Sequence, residues 1–150
     1  MNAKPPYNEA TELAVIGAIA VWPGRVLDDV LAVGLRPEDF YVPAHARAWS
    51  TILELASGDT PIDPHVLGAR IGNPRLVASA IWHATGSDTG PYADCNPGNA
   101  PAWAHCIAAF ATARAIITPL EAALHAAYDG QVDEAVELIH DALTALGVPA

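Results

Sequence analysis

Six side chains between positions 83 and 106 are of the types that hold metal ions: His83, Asp88, Asp94, Cys95, His105 and Cys106. Zinc sites need imidazole, thiolate or carboxylate groups that converge in tetrahedral geometry, and compact ones show ligands a few residues apart. The Cys95-to-Cys106 spacing matches no such motif, so the expectation is no metal and no cofactor. A small helical metalloenzyme built on the 83–106 region is the alternative of another class. Ser50, Thr51 and Ser79 carry hydroxyls, but no elbow motif or adjacent base would activate them. His45 reads as structural, a neutral imidazole in the first turn of a helix where it can bond a nearby backbone group. No catalytic residue is predicted. No G-x-x-x-x-G-K-[ST] occurs, which excludes P-loop nucleotide hydrolysis. Trp22, Trp49, Trp82 and Trp103 could stack single-stranded bases, but no basic groove surrounds them, and core packing is the simpler reading.

The charge balance points the same way. The 150 residues carry 7 basic and 17 acidic side chains, a net charge of −10. Phosphate backbones and anionic membranes are bound by clusters of Lys and Arg, so neither direct nucleic-acid binding nor membrane association is expected. Two cysteines make no disulfide framework. The first residues show no signal-peptide pattern, and the longest apolar run, Leu13 to Trp22, is too short to cross a bilayer. A soluble cytoplasmic protein is expected. At 52% hydrophobic and 16% charged, the chain can bury a sizeable core.

The elements that would position these residues are helices punctuated by Pro and Gly. Apolar positions at helical spacing predict a first helix over 9–21, ended by Pro23. A second runs from about Gly24 to Val33, with Val26, Leu27, Val30 and Leu31 on its buried face. Leu35 to Tyr41 is a turn-rich link. A third helix starts near Pro43 and stops at Gly58. Asp63-Pro64 and Asn73-Pro74 open a fourth and a fifth, each an N-cap followed by a first-turn proline. No segment alternates with period two, so no sheet is expected. Residues 85–101 have loop composition and mark the division between subdomains.

Beyond that loop, a long helical pattern covers Ala100 to about Tyr128, with Pro119 expected to kink or break it near Ile116. Asp129-Gly130 is a helix stop, and a last helix over about 131–146 shows Val132, Val136, Ile139, Leu143 and Leu146 in a nearly heptad-like seam. The fold class is thus all-α: a small orthogonal helical bundle over about 9–83, a loop over 84–100, and an antiparallel helical hairpin over about 101–147. Residues 86–150 hold one basic side chain, Arg114, against eight acidic ones. Two helices cannot cover this much apolar surface by themselves, and residues 9–83 can already form their own core. A second hairpin from another chain is therefore the expected partner, through Phe110, Ile117, Leu120, Leu124, Val136, Ile139 and Leu143, and a two-fold dimer is the commonest solution. The acidic run Asp133, Glu134, Glu137 and Asp141 reads as a solvated face, with Asp133 and Glu134 matching the positive helix N-terminus.

Two stretches are similar to one family. Pro5-Pro6-Tyr7-Asn8 followed by Glu12-Leu13-Ala14-Val15-Ile16-Gly17-Ala18 resembles the opening of the N-terminal domain of DnaB-type replicative helicases, with Thr11 and Ile16 standing for the family's Ala and Leu. Leu35-Arg36-Pro37-Glu38-Asp39-Phe40-Tyr41, then His45, Trp49, Ile52, Leu55, Gly58 and Pro61-Ile62-Asp63, resembles that family's L-x-P-x-D-F-Y signature and the positions after it. The resemblance covers about Pro5 to Leu146. It departs at 85–101 and in the acidity and Ala content of the hairpin. It implies structural roles for Glu12, Gly17, Pro37, Asp39, Phe40, Tyr41 and His45: Pro37 fixes a turn, Asp39 caps the segment entering the third helix, and Phe40 and Tyr41 wedge between helices. It further implies a collar domain without the RecA-like motor, which pairs through its hairpin and docks primase. The expected partners are therefore a second copy, in an even-numbered assembly, and a replicative helicase or primase. A stand-alone regulator acting on either in trans is the variant of this reading.

Overall fold

A computed structural model describes residues 4–86 and 96–149. These residues form seven α-helices and no strand: α1 Glu9–Val21, α2 Pro23–Ala32, α3 Pro43–Ser57, α4 Pro64–Ile71, α5 Pro74–Thr85, α6 Ala100–Tyr128 and α7 Val132–Ala145, with short 3-10 turns at Pro37–Asp39 and Pro97–Asn99. The all-α reading holds. The chain resolves into two compact units. One is Tyr7–Ala109, and the other is Phe110–Ala150 with the residues up to Pro6. The separation therefore falls inside α6 rather than in the 84–100 segment. Ala100, Ala104 and Ile107 belong to the core of the first unit, so its apolar surface draws in the opening turns of α6.

Within the Tyr7–Ala109 unit, α1 is the central helix. Glu12 through Ala20 are all buried. A helix apolar on every side is one that other elements surround, and α5 is its main neighbour. Gly17 permits that approach. A Cβ built there would overlap the Ala80 carbonyl oxygen and stand 2.8 Å from the Ile81 backbone nitrogen. Trp49, Ile16, Ile52 and Leu67 are among the fully buried side chains, each stabilising by about 1.5–3 kcal/mol through the area it removes from water. On α2, Val26 and Val30 are buried, while Leu27 and Leu31 pack half-buried against the same core.

Local chemistry sets the helix ends. The Asn8 side chain accepts the Thr11 N–H at 3.0 Å. Asp63 accepts the N–H groups of His65 and Val66 at 2.8 and 2.9 Å, and Asn73 accepts that of Leu76 at 3.1 Å. Each satisfies donors that the first helical turn leaves free. Pro23, expected as the stop of α1, is also the first residue of α2, where its missing N–H costs nothing.

In the second unit, α6 and α7 are joined across Asp129, Gly130 and Gln131, with Gly130 at φ +78°. That left-handed conformation is one that only glycine adopts at no steric cost. The two helices meet over small residues: Ala123 and Ala126 bury against Ala135, with Leu138 beside them. The expected break before Pro119 does not occur, and α6 runs through it. The proline removes one hydrogen bond to the Ala115 carbonyl. Ala115 lies on an exposed stretch, where water can satisfy that oxygen. Arg114 donates through Nη1 to the Pro6 carbonyl at 2.9 Å.

Candidate functional site

Two features stand out, one in each unit. In the Tyr7–Ala109 unit it is a buried polar cluster. Glu12 and His45 are only 2% and 4% exposed. The Glu12 Oε1 accepts the Tyr41 N–H at 2.7 Å, its Oε2 accepts the Val42 N–H at 3.3 Å, and His45 Nδ1 lies 2.7 Å from Oε2. A carboxylate is acceptor-only, so Nδ1 carries the proton in this arrangement. His45 was expected to bond a backbone group; its partner is instead the Glu12 carboxylate. The reason is positional, since α1 crosses the start of α3 and Glu12 is the acceptor it carries there.

A buried Glu–His pair invites comparison with a catalytic dyad. Here both carboxylate oxygens are occupied by donors from one short stretch, residues 41–45, and the pair is enclosed. The carboxylate is thus engaged within the fold, whereas a general base must be free to reach the proton it abstracts. The cluster ties α1 to the start of α3.

The neighbouring signature residues extend that tie. Asp39 Oδ2 accepts the Arg36 N–H at 2.8 Å and closes the 3-10 turn begun by Pro37. The Arg36 guanidinium stands 3.5 Å from Asp39 Oδ1 and its side chain is 73% exposed, so solvent screens the pair and it is worth little to stability. Phe40 is buried and stacks on Trp49 with ring centroids 5.5 Å apart, and the Trp49 Nε1–H donates to the Leu35 carbonyl at 3.0 Å. Tyr41 differs from expectation. It is partly exposed and stacks on Tyr7 at 4.1 Å instead of wedging between helices.

The metal-type residues do not come together. Among the described residues no group of three or more His, Cys, Asp or Glu side chains is placed to hold an ion; Asp88, Asp94 and Cys95 lie outside those described. The His83 Nδ1 is 2.8 Å from the Ser79 carbonyl oxygen. Cys106 is exposed, because Ala104 and Ile107 take the inward face of α6 and Cys106 is turned from both. Of the tryptophans, Trp49 is fully buried and Trp82 is the exposed one.

The second feature is the outer face of the hairpin. Val132, Val136, Ile139, Leu143 and Leu146 on α7 are all exposed, with Val132 at 63% and Val136 at 60%. Their spacing alternates four and three residues, which places them in one row along the helix. On α6, Leu120 and Leu124 are exposed, Leu124 to 57%, and Phe110 and Ile117 are half-buried. The residues expected to make a pairing seam thus form an apolar surface that their own unit leaves open. Ala123, Ala126 and Ala135 make the small contact between the two helices.

By length and composition, Pro97–Tyr128 is apolar enough to cross a membrane, a candidate outside the apolar run noted in the sequence. Its apolarity is largely that of alanine, and it is one-sided beyond residue 110. Arg114, Thr118, Glu121 and His125 recur at helical spacing, and such groups are costly at the centre of a bilayer. That pattern fits a helix with a protein neighbour on one face.

A family model described as DnaB-like helicase N terminal domain matches residues 4–84. Among solved structures, the crystal structure of the N-terminal domain of DnaB helicase from Mycobacterium tuberculosis is similar at a TM-score of 0.68 and 28% sequence identity, covering 91% of this chain and 99% of that one. No curated protein matches the chain.

Proposed function

Because the chain belongs to the DnaB-like helicase N-terminal domain family, we propose that it is a non-catalytic interaction and oligomerisation module of the DNA replication machinery. It pairs through the α6–α7 hairpin with a second copy and offers a docking surface to a replicative helicase or primase in the cytoplasm. The observation that carries this reading is the apolar row Leu120, Leu124, Val132, Val136, Ile139 and Leu143, exposed throughout. Contiguous exposed apolar surface of this kind marks interaction sites in soluble proteins. Heptad-like spacing is the pattern by which helices pack at shallow angles against other helices, and a two-fold pair would bury the same row from both sides.

The Tyr7–Ala109 unit supports the assignment from the other direction. Its helices are joined by side-chain caps and a closed polar cluster, and no buried side-chain polar atom lacks a partner among the described residues. We read that unit as a scaffold.

Light scattering or sedimentation on the full chain tests the pairing. At high micromolar concentration the native chain should run as a dimer or a higher even-numbered assembly. Leu124→Asp with Ile139→Asp should give a monomer whose Trp49 fluorescence and helicity are those of the native protein. A native monomer at these concentrations, or an unchanged assembly in the double variant, overturns the pairing. Addition of the chain to a helicase and its primase, with ATPase and priming as readouts, tests the docking role.

A further inference from the structure

We propose that the cavity between the start of α2 and the end of α3 is an anchor site for one long basic side chain, arginine or lysine, presented by another polypeptide. The site lies wholly within the Tyr7–Ala109 unit and is independent of the hairpin pairing.

The cavity holds about 300 Å³, at the small end of the range for ligand sites. Leu27, Leu55, Ala56 and Ile62 give it apolar walls, and the segment 58–62 bounds it beyond α3. Leu55 and Ile62 are buried, and Leu27 and Ala56 are half-buried, so the walls are held by the core. The charged residue on the lining is Asp28, which is exposed. The ion pairs of the described residues, Arg36–Asp39 and Glu12–His45, do not involve it.

The sign of the ligand follows from the two helix ends. The last turn of α3 lines the cavity, so the negative end of that helix adds to Asp28 in favouring a cation. The positive end of α2 is largely spent. Pro23 has no N–H, and Arg25 and Val26 both donate to the Trp22 carbonyl, at 2.9 and 3.2 Å. The Gly24 N–H is left, a single donor suited to a neutral acceptor such as a peptide carbonyl rather than a cradle for an anion. Gly24 and Asp28 are four residues apart, on one face of α2 and about 6 Å apart along its axis. A residue whose carbonyl meets the Gly24 N–H can therefore lay its side chain along Leu27 and bring a cationic head to Asp28. Arginine and lysine have that build, an apolar stem below a charged tip. Gly24 leaves the room, since a Cβ built there meets nothing within 4 Å.

The test follows the amide and methyl NMR signals of the isotope-labelled full chain during three titrations. The probes are N-acetyl-arginine amide, its citrulline counterpart, which has the same shape without the charge, and butylguanidinium, the stem and head without a peptide group. With the arginine compound, the signals of Leu27, Asp28, Leu55 and Ile62 should move together and saturate. It should bind about two- to fivefold more tightly than either of the others, the worth of one exposed ion pair or of one net hydrogen bond. Asp28→Asn should erase the difference between the arginine and citrulline compounds. Gly24→Leu fills the cavity and should abolish all three titrations at an unchanged melting temperature. Shifts scattered over the carboxylates of the hairpin, equal binding of the arginine and citrulline compounds, or binding that survives Gly24→Leu overturns the site. Butylguanidinium binding as tightly as the arginine compound overturns the polypeptide as the source and makes the ligand a free cation.

Discussion

Replacement of Glu12 by Ala should be among the most damaging single changes in the chain. It removes the acceptor for three donors at once: the N–H groups of Tyr41 and Val42 and Nδ1 of His45, at 2.7, 3.3 and 2.7 Å. A buried donor left without a partner costs about 1–3 kcal/mol. His45 Nδ1 is buried and the Tyr41 and Val42 N–H groups are part-buried, so the three together should cost about 3–5 kcal/mol. A loss of about 3–5 kcal/mol corresponds to a melting temperature lower by about 12–20 °C in a unit of this size. Urea denaturation followed by Trp49 fluorescence gives the free energy directly. A double-mutant cycle with His45→Ala isolates the pair, and the two changes together should cost about 1–3 kcal/mol less than their sum. If Glu12→Ala costs under about 1 kcal/mol, or if the two substitutions add, the cluster does not hold the fold and the account of the signature is wrong.

Gly17→Ala places a methyl group on the Ala80 carbonyl oxygen. Backbone cannot yield as a side chain does, so a loss of at least about 1–3 kcal/mol is expected, read as a lower melting temperature. At Pro119 the sign reverses. Pro119→Ala restores a hydrogen bond to Ala115 within α6 and should raise the stability of the hairpin by up to about 3 kcal/mol, measured by hydrogen exchange of residues 115–123. Asp63→Ala removes the acceptor of two N–H groups at the start of α4 and should cost about 1 kcal/mol, detectable in the same urea titration.

Most of the structure legible in the sequence was local. The bounds of α1 and the starts of α3, α4 and α5 are set by prolines and capping side chains that act within a few residues. The exposed apolar row was legible for the same reason: alternation of four and three along α7 is a property of one helix. Features that depend on a neighbour distant in the chain escaped. Glu12 meets His45 across 33 positions, and nothing at either site announces the other. Pro119 could be read as a break only because propensity is silent on whether the freed carbonyl meets water. Residue type alone favours a buried Cys106, whereas the register of Ala104 and Ile107 turns it out.

The contrast between the two units sets the motif-bearing residues apart from those proposed to carry association. The signature from Leu35 to His45 carries Asp39, Tyr41 and His45, yet Asp39, His45 and the Tyr41 N–H are engaged in closing α1, the 3-10 turn and α3 upon one another. A group so engaged is unavailable for recognition, because each new contact would first have to break an old one at about the cost of an unsatisfied buried donor. The hairpin has the opposite character. Its apolar row Leu120, Leu124, Val132, Val136, Ile139 and Leu143 is aliphatic, carries no motif and stands exposed, so burying it against another helix breaks little and is nearly pure gain. Interaction energy in this chain is therefore expected where the sequence looks plainest, and substitutions in the signature should act on association only through loss of the fold.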